Sequence, residues 1–134
     1  MQTALIIALS LHVLSSVFWA GSSFTLARTG GLGGERLLGP QLGAATVAIV
    51  TGATLWHLVH EGSFARSEQI LALGAISALA AVAVQIVVGG SAVRQLRTNA
   101  DDGSRARSRL AVAQRIAAGL LAITALCMGA ARYA

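Results

Sequence analysis

The chain has 134 residues, 55% of them apolar and 11% charged, and its formal net charge of +5 comes from ten arginines set against five acids, with no lysine. A soluble domain normally carries about a quarter charged residues, so this composition cannot coat a water-facing surface and points instead to a protein solvated by lipid. The single cysteine, Cys127, excludes an intrachain disulfide. No zinc-type Cys/His cluster, P-loop or GxSxG elbow is present, and GGLGG in the first loop lacks the strand and the lysine of a phosphate-binding loop.

The first apolar stretch runs from Thr3 to Ala27 without a charge, long enough to cross a hydrocarbon core of about 30 Å. Its N-terminus, MQTALII, lacks the basic region of a signal peptide, so a retained helix is expected. His12 lies within it. A titratable ring in such a segment marks a functional site by default, because desolvation disfavours its charged form. His12, Ser16, Trp19 and Ser23 fall at i, i+4, i+7 and i+11, one helical face that belongs against the bundle. Two uses of that face remain open: a cofactor pocket with Trp19 as a flat wall, or interhelical hydrogen bonding in which His12 bonds a Ser or Thr of the second helix.

The second stretch, Leu42 to Val59, follows the loop TGGLGGERLLGP, and Pro40 is expected at the helix start, where it removes no helical hydrogen bond. Near its far end lie Trp56, His57 and His60, the two histidines three residues apart and so on one face. The third stretch, Gln69 to Val93, presents Gly74, Ala78, Ala81, Gln85 and Gly89 on one face. The fourth, Leu110 to Ala131, presents Arg115, Gly119, Ala122, Leu126 and Gly129. Small residues at such spacing predict close helix packing or room for a flat cofactor, and suit packing within one chain or a homodimer. Arg115 is a candidate partner for an anionic lipid, Gln85 or a cofactor propionate. Cys127 and Met128 are soft donors suited to Cu(I).

Four long apolar helices with short connections predict an all-α, antiparallel four-helix membrane bundle forming one domain over residues 1–134. Arginines 28, 36, 94, 97, 105, 107, 109 and 115 gather on the first and third loops, with Arg66 and Arg132 opposite. By the positive-inside rule those loops are cytoplasmic and both termini extracytoplasmic. A basic surface beside anionic lipid accounts for the net charge, and no nucleic-acid role follows from it. None of the acids, Glu35, Glu61, Glu68, Asp101 or Asp102, falls mid-helix, which argues against a carboxylate proton path.

This topology brings all three histidines toward the side of the termini. Counting about 1.5 Å per residue, His12 is about 14 Å, His57 about 8 Å and His60 about 3 Å below their helix ends, close enough for His12 to pair with His57 or His60. Two imidazoles from neighbouring helices can hold a haem iron from both faces.

The segments HVLSSVFWAGSSF (His12–Phe24), Thr51-Gly52 and QRIAAGLLAI (Gln114–Ile123) resemble a superfamily of small bacterial membrane bundles. It includes the copper-resistance D (CopD) membrane domain, related four-helix proteins and the HemJ type of protoporphyrinogen oxidase. The resemblance implies an intramembrane histidine in helix one, here His12, associated with copper or b-type haem in a bacterial inner membrane. HemJ-type enzymes also carry a functional lysine, which this chain lacks, so the oxidase activity does not carry over. The expectation is therefore a b-type haem on His12 with His57 or His60, flanked by Ser16, Trp19, Trp56 and Arg115. Electron transfer with a redox protein or quinone would follow, or membrane oxidoreductase chemistry if the protein is an enzyme. Copper on His12, His57 and His60, or a bundle without cofactor, are the other readings.

Overall fold

The computed structural model describes residues 1–60, 62, 64–98 and 103–134. Glu61, Asp101 and Asp102, weighed above, lie outside the described residues. Helix α1 spans Gln2–Arg28, α2 Gly34–Val59, α3 Arg66–Val84, α4 Gly90–Thr98 and α5 Ser104–Ala131. A π-turn, Gln85–Gly89, joins α3 to α4 without a break, so that Arg66–Thr98 is one spanning helix. Among the described residues, four helices are thus long and apolar enough to cross a membrane. The all-α four-helix bundle expected from the sequence is the observed fold.

Every helix is longer than its apolar stretch, the first by only one residue at each end. Helix α2 begins at Gly34, so Pro40 lies inside it, six residues past the expected harmless position. Its missing N–H leaves the Arg36 carbonyl without the usual i→i+4 partner. RQLRT closes α4 and SRARSR opens α5. Charge marks where the bilayer ends, whereas a helix satisfies its own backbone and continues into the headgroup region. The first connection shrinks to Thr29–Gly33, folded back so that Gly31, at φ +84°, lies against α5; a Cβ there would sit 2.9 Å from the Arg107 carbonyl. Glycine alone meets both demands.

Helix α1 packs against α2 and α5, and α3 packs against α5. The core between them is alanine-rich: Ala45, Ala48, Ala81 and Ala117 with Trp19 and Leu121. Alanines let the backbones approach but bury little area each, so large apolar side chains are left for the periphery. Leu14, Val17, Val50, Ile76, Val87, Ile123 and Leu126 all point outward, as lipid-facing residues do. At the arginine-rich end, Arg107 pairs with Glu35 at 3.6 Å, Arg97 donates to the Glu35 carbonyl, and Arg109 donates to Ser91 and Gln95. These contacts join α2, α4 and α5 where the helices leave the apolar zone.

The face expected for the third helix is observed, with Gly74, Ala81, Gln85 and Gly89 buried. The face expected for the fourth is not. Arg115, Gly119, Ala122, Leu126 and Gly129 are exposed, and α5 turns Leu110, Ala113, Gln114, Ala117, Leu121 and Thr124 inward. Both faces are rich in small residues, so size could not choose between them. An uncharged amide that must find a partner could, and Gln114 sits on the buried side.

Candidate functional site: one histidine and a buried amide network

His12 is half-buried where α1 crosses α2. Its Nδ1 lies 2.8 Å from the Ala48 carbonyl oxygen and 3.3 Å from Thr51 Oγ1. A carbonyl only accepts, so the Nδ1 proton is donated to it and the lone pair rests on Nε2, which bonds no described residue. The Thr51 hydroxyl is itself committed to the Val47 carbonyl at 2.6 Å and receives His12 as a second, longer partner. Gly52 completes the seat. A Cβ at that position would be 3.0 Å from His12 Cε1 and 3.4 Å from Nδ1, so the missing side chain is what admits the ring. The expected bond between His12 and a hydroxyl of helix two is present, supplemented by a stronger one to backbone.

The other histidines are not brought to this seat. Nine residues, about two and a half turns, separate Ala48 from His57, so His57 lies on the opposite side of α2, where it is exposed. His60, the C-cap of α2, stacks on Trp56 with ring centroids 4.6 Å apart, and its Nδ1 lies 3.2 Å from the Trp56 carbonyl. Its Nε2 faces Glu68 Oε1 of α3 at 3.7 Å, while Ser67 donates to the other carboxylate oxygen. Trp56 and His60 thus form a clasp between α2 and the start of α3. Among the described residues no group of three or more His, Cys, Asp or Glu is assembled to hold a metal ion. Cys127 packs at the α3–α5 contact near Gly74, and Met128 is exposed.

Ser16 remains half-buried one turn from His12 and bonds no described residue. Trp19 has a different role from a cofactor wall. It is 2% exposed, and its Nε1–H donates to Gln85 Oε1 at 2.7 Å. Around that bond lies a network that sequence reasoning missed, although it placed Gln85 on a packed face: Gln41, Gln85 and Gln114, one each from α2, the π-turn and α5, all 0% exposed. Because an indole nitrogen can only donate, it fixes the orientation of all three amides in turn. Gln85 Nε2 must face Ser23 Oγ, at 2.9 Å, and Gln114 Oε1, at 3.1 Å. Gln114 Nε2 then donates to Gln41 Oε1 at 2.9 Å, and Gln41 Nε2 donates to Ser22, Ser23 and Gln114 Oε1 at 3.0 to 3.2 Å. Ser23 closes the circuit by donating to the Trp19 carbonyl at 2.8 Å.

No protein-family model matches the chain, and no curated protein or solved structure matches it.

The two polar centres occupy different levels. Seven residues of α1, about 10 Å, separate His12 from Trp19. Arg115 is farther still. It is exposed and shares a groove with Phe24 and Arg28, which lie about 18 and 24 Å along α1 from His12. That removes it from the reach of a propionate on any group ligated by His12, and Gln85, its other expected partner, is taken by Trp19, Ser23 and Gln114. The signal for the amides was available: each is an uncharged polar residue beside or within an apolar stretch, and such a group must be paired inside the bundle.

Proposed function

We propose that the protein is a bacterial inner-membrane haem protein in which Nε2 of His12 is the ligand the chain supplies to a b-type haem, in the manner the resemblance to CopD and HemJ-type bundles implies. The observation that carries this reading is the Nδ1–H bond to the Ala48 carbonyl. Metal-ligating histidines almost always donate their second ring nitrogen in this way, which fixes the tautomer and raises the basicity of the free one. Gly52, by admitting the ring, sets its orientation. His57 and His60 stand apart from this seat, so His12 is the one histidine that would hold the group, with any further ligand supplied by a small molecule or a partner. A haem bound here supplies one-electron chemistry, and the role proposed is electron exchange with a quinone or redox protein. The arginine distribution supports an orientation with both termini on the extracytoplasmic side, the side toward which His12 lies.

A haemin titration of the apoprotein in detergent tests the reading. Wild type is expected to give a saturable Soret shift at one haem per chain, and His12→Ala to lose it, while His57→Ala and His60→Ala keep it. Iron and copper analysis of the same samples addresses the metal: stoichiometric copper with no response to haemin would replace haem by copper handling.

A bundle that binds no cofactor is the second reading, favoured by the same contact seen differently: His12 ties α1 to α2 as Thr124 ties α5 to the Gly74 carbonyl of α3, at 3.0 Å. In that case neither haem nor copper binds, and His12→Ala changes stability alone.

A further inference from the structure

We infer that the groove between α1 and α5 at the arginine-rich end is a site for one anionic phospholipid, its phosphate held by Arg28 and Arg115 and an acyl chain laid along Gly119 and Ala122. The groove has a volume of about 360 Å³, with Phe24 and Ala118 among its walls. It opens outward, since Phe24, Arg115, Gly119 and Ala122 are all exposed. Two features bear on what fills it. Gly119 meets no atom of the chain within 4 Å of where a Cβ would stand, so its lack of a side chain serves no packing inside the molecule and leaves the groove floor clear. Arg28 and Arg115 also make no ion pair or hydrogen bond with any described residue, a state they share with Arg36, Arg94 and Arg105 but not with Arg97, Arg107 or Arg109, and they are the two arginines that line the groove. A guanidinium stays charged at any physiological pH, and at the edge of the apolar zone it is satisfied by water or by an anion. Phosphate accepts from two guanidinium groups at once, and headgroups are the anions present at that depth.

A second copy of the chain fits less well. Packing by twofold symmetry would set the same patch against itself, and this patch carries two arginines and no acid. The proposal stands apart from the haem reading, because the groove lies at the other end of α1 from His12.

Native mass spectrometry of the detergent-solubilised protein with equal concentrations of dioleoylphosphatidylglycerol or dioleoylphosphatidylcholine tests it. Wild type is expected to retain one phosphatidylglycerol with a preference of about tenfold or more. The R28Q/R115Q variant should lose that preference, and Gly119→Leu or Ala122→Leu should block retention while both arginines remain. All variants should keep the wild-type emission of the two tryptophans, since none touches the glutamine network around Trp19 or the Trp56–His60 stack. Equal retention of the two lipids by wild type, or an undiminished preference in R28Q/R115Q, overturns the proposal. So does a lipid-independent dimer abolished by Gly119→Leu, which would assign the groove to a second copy.

Discussion

At the scale of single residues, the structure turns on hydrogen-bond direction. The indole N–H of Trp19 cannot accept, and this one restriction orders three amides from three further segments. Trp19→Phe keeps the ring and removes the donor, leaving Gln85 Oε1 buried and unpaired. A loss of about 1–2 kcal/mol is expected in reversible unfolding from mixed micelles, within the range for an unsatisfied buried acceptor and for polar pairs in membrane bundles. A wild-type midpoint would show that Gln85 has another partner. Gly52 makes an independent claim. Gly52→Val inserts a branched side chain against His12, at 3.0 Å from Cε1 already for its first carbon, and should cost about 1–3 kcal/mol through overpacking. The same substitution should weaken haem binding in the haemin titration, since the imidazole can no longer lie against α2; full affinity in Gly52→Val would mean that ring orientation is set elsewhere.

At the scale of elements, the π-turn is the departure from regularity that needs a cause. It brings Gln85 to the core while Gly89, Ala92 and Val93 remain buried beyond it, so the helix changes pitch where the polar network meets it. π-turns arise as one-residue expansions of an α-helix and often mark functional positions. Deleting the exposed Val87 should therefore relax the turn to α-helical geometry and leave a folded bundle, because the residues before and after keep their faces. Deleting Ile76, equally exposed but in regular α3, rotates everything beyond it by about 100° and should abolish folding. Thermal unfolding followed by tryptophan emission separates the two; equal damage from both deletions would show that the turn does not act as a register buffer. Helix ends were the elements least legible in the sequence. Charge at GERLLGP, RQLRT and SRARSR reads as loop, and it is helix, because arginine is a good helix former and its charge reports the depth of the bilayer instead of the end of the hydrogen-bonded backbone.

At the scale of the whole molecule, the sequence carried the architecture and only part of the site. Four apolar stretches sufficed for the bundle, and the helical spacing of His12, Trp19 and Ser23 sufficed to aim that face inward. The level and rotation of side chains on different helices were not legible, since a two-residue error in a helix start turns a face by about 200°. That is why His57, placed near His12 by counting, lies on the far side of α2, and why α5 buries Gln114 where Gly119 was expected. The arginine asymmetry predicts an orientation that a pair of fusions checks: a C-terminal alkaline phosphatase should be active and a C-terminal green fluorescent protein dark, and the reverse pattern would invert the bundle.

The central claim is that His12 presents a free Nε2 to a haem iron. An absorption spectrum of the detergent-purified protein, oxidised and then reduced with dithionite, tests it most directly. The account predicts a Soret band that sharpens and shifts on reduction and is absent from His12→Ala prepared in parallel. A wild-type protein that is folded by its tryptophan emission yet colourless, and stays colourless when haemin is added, would contradict it.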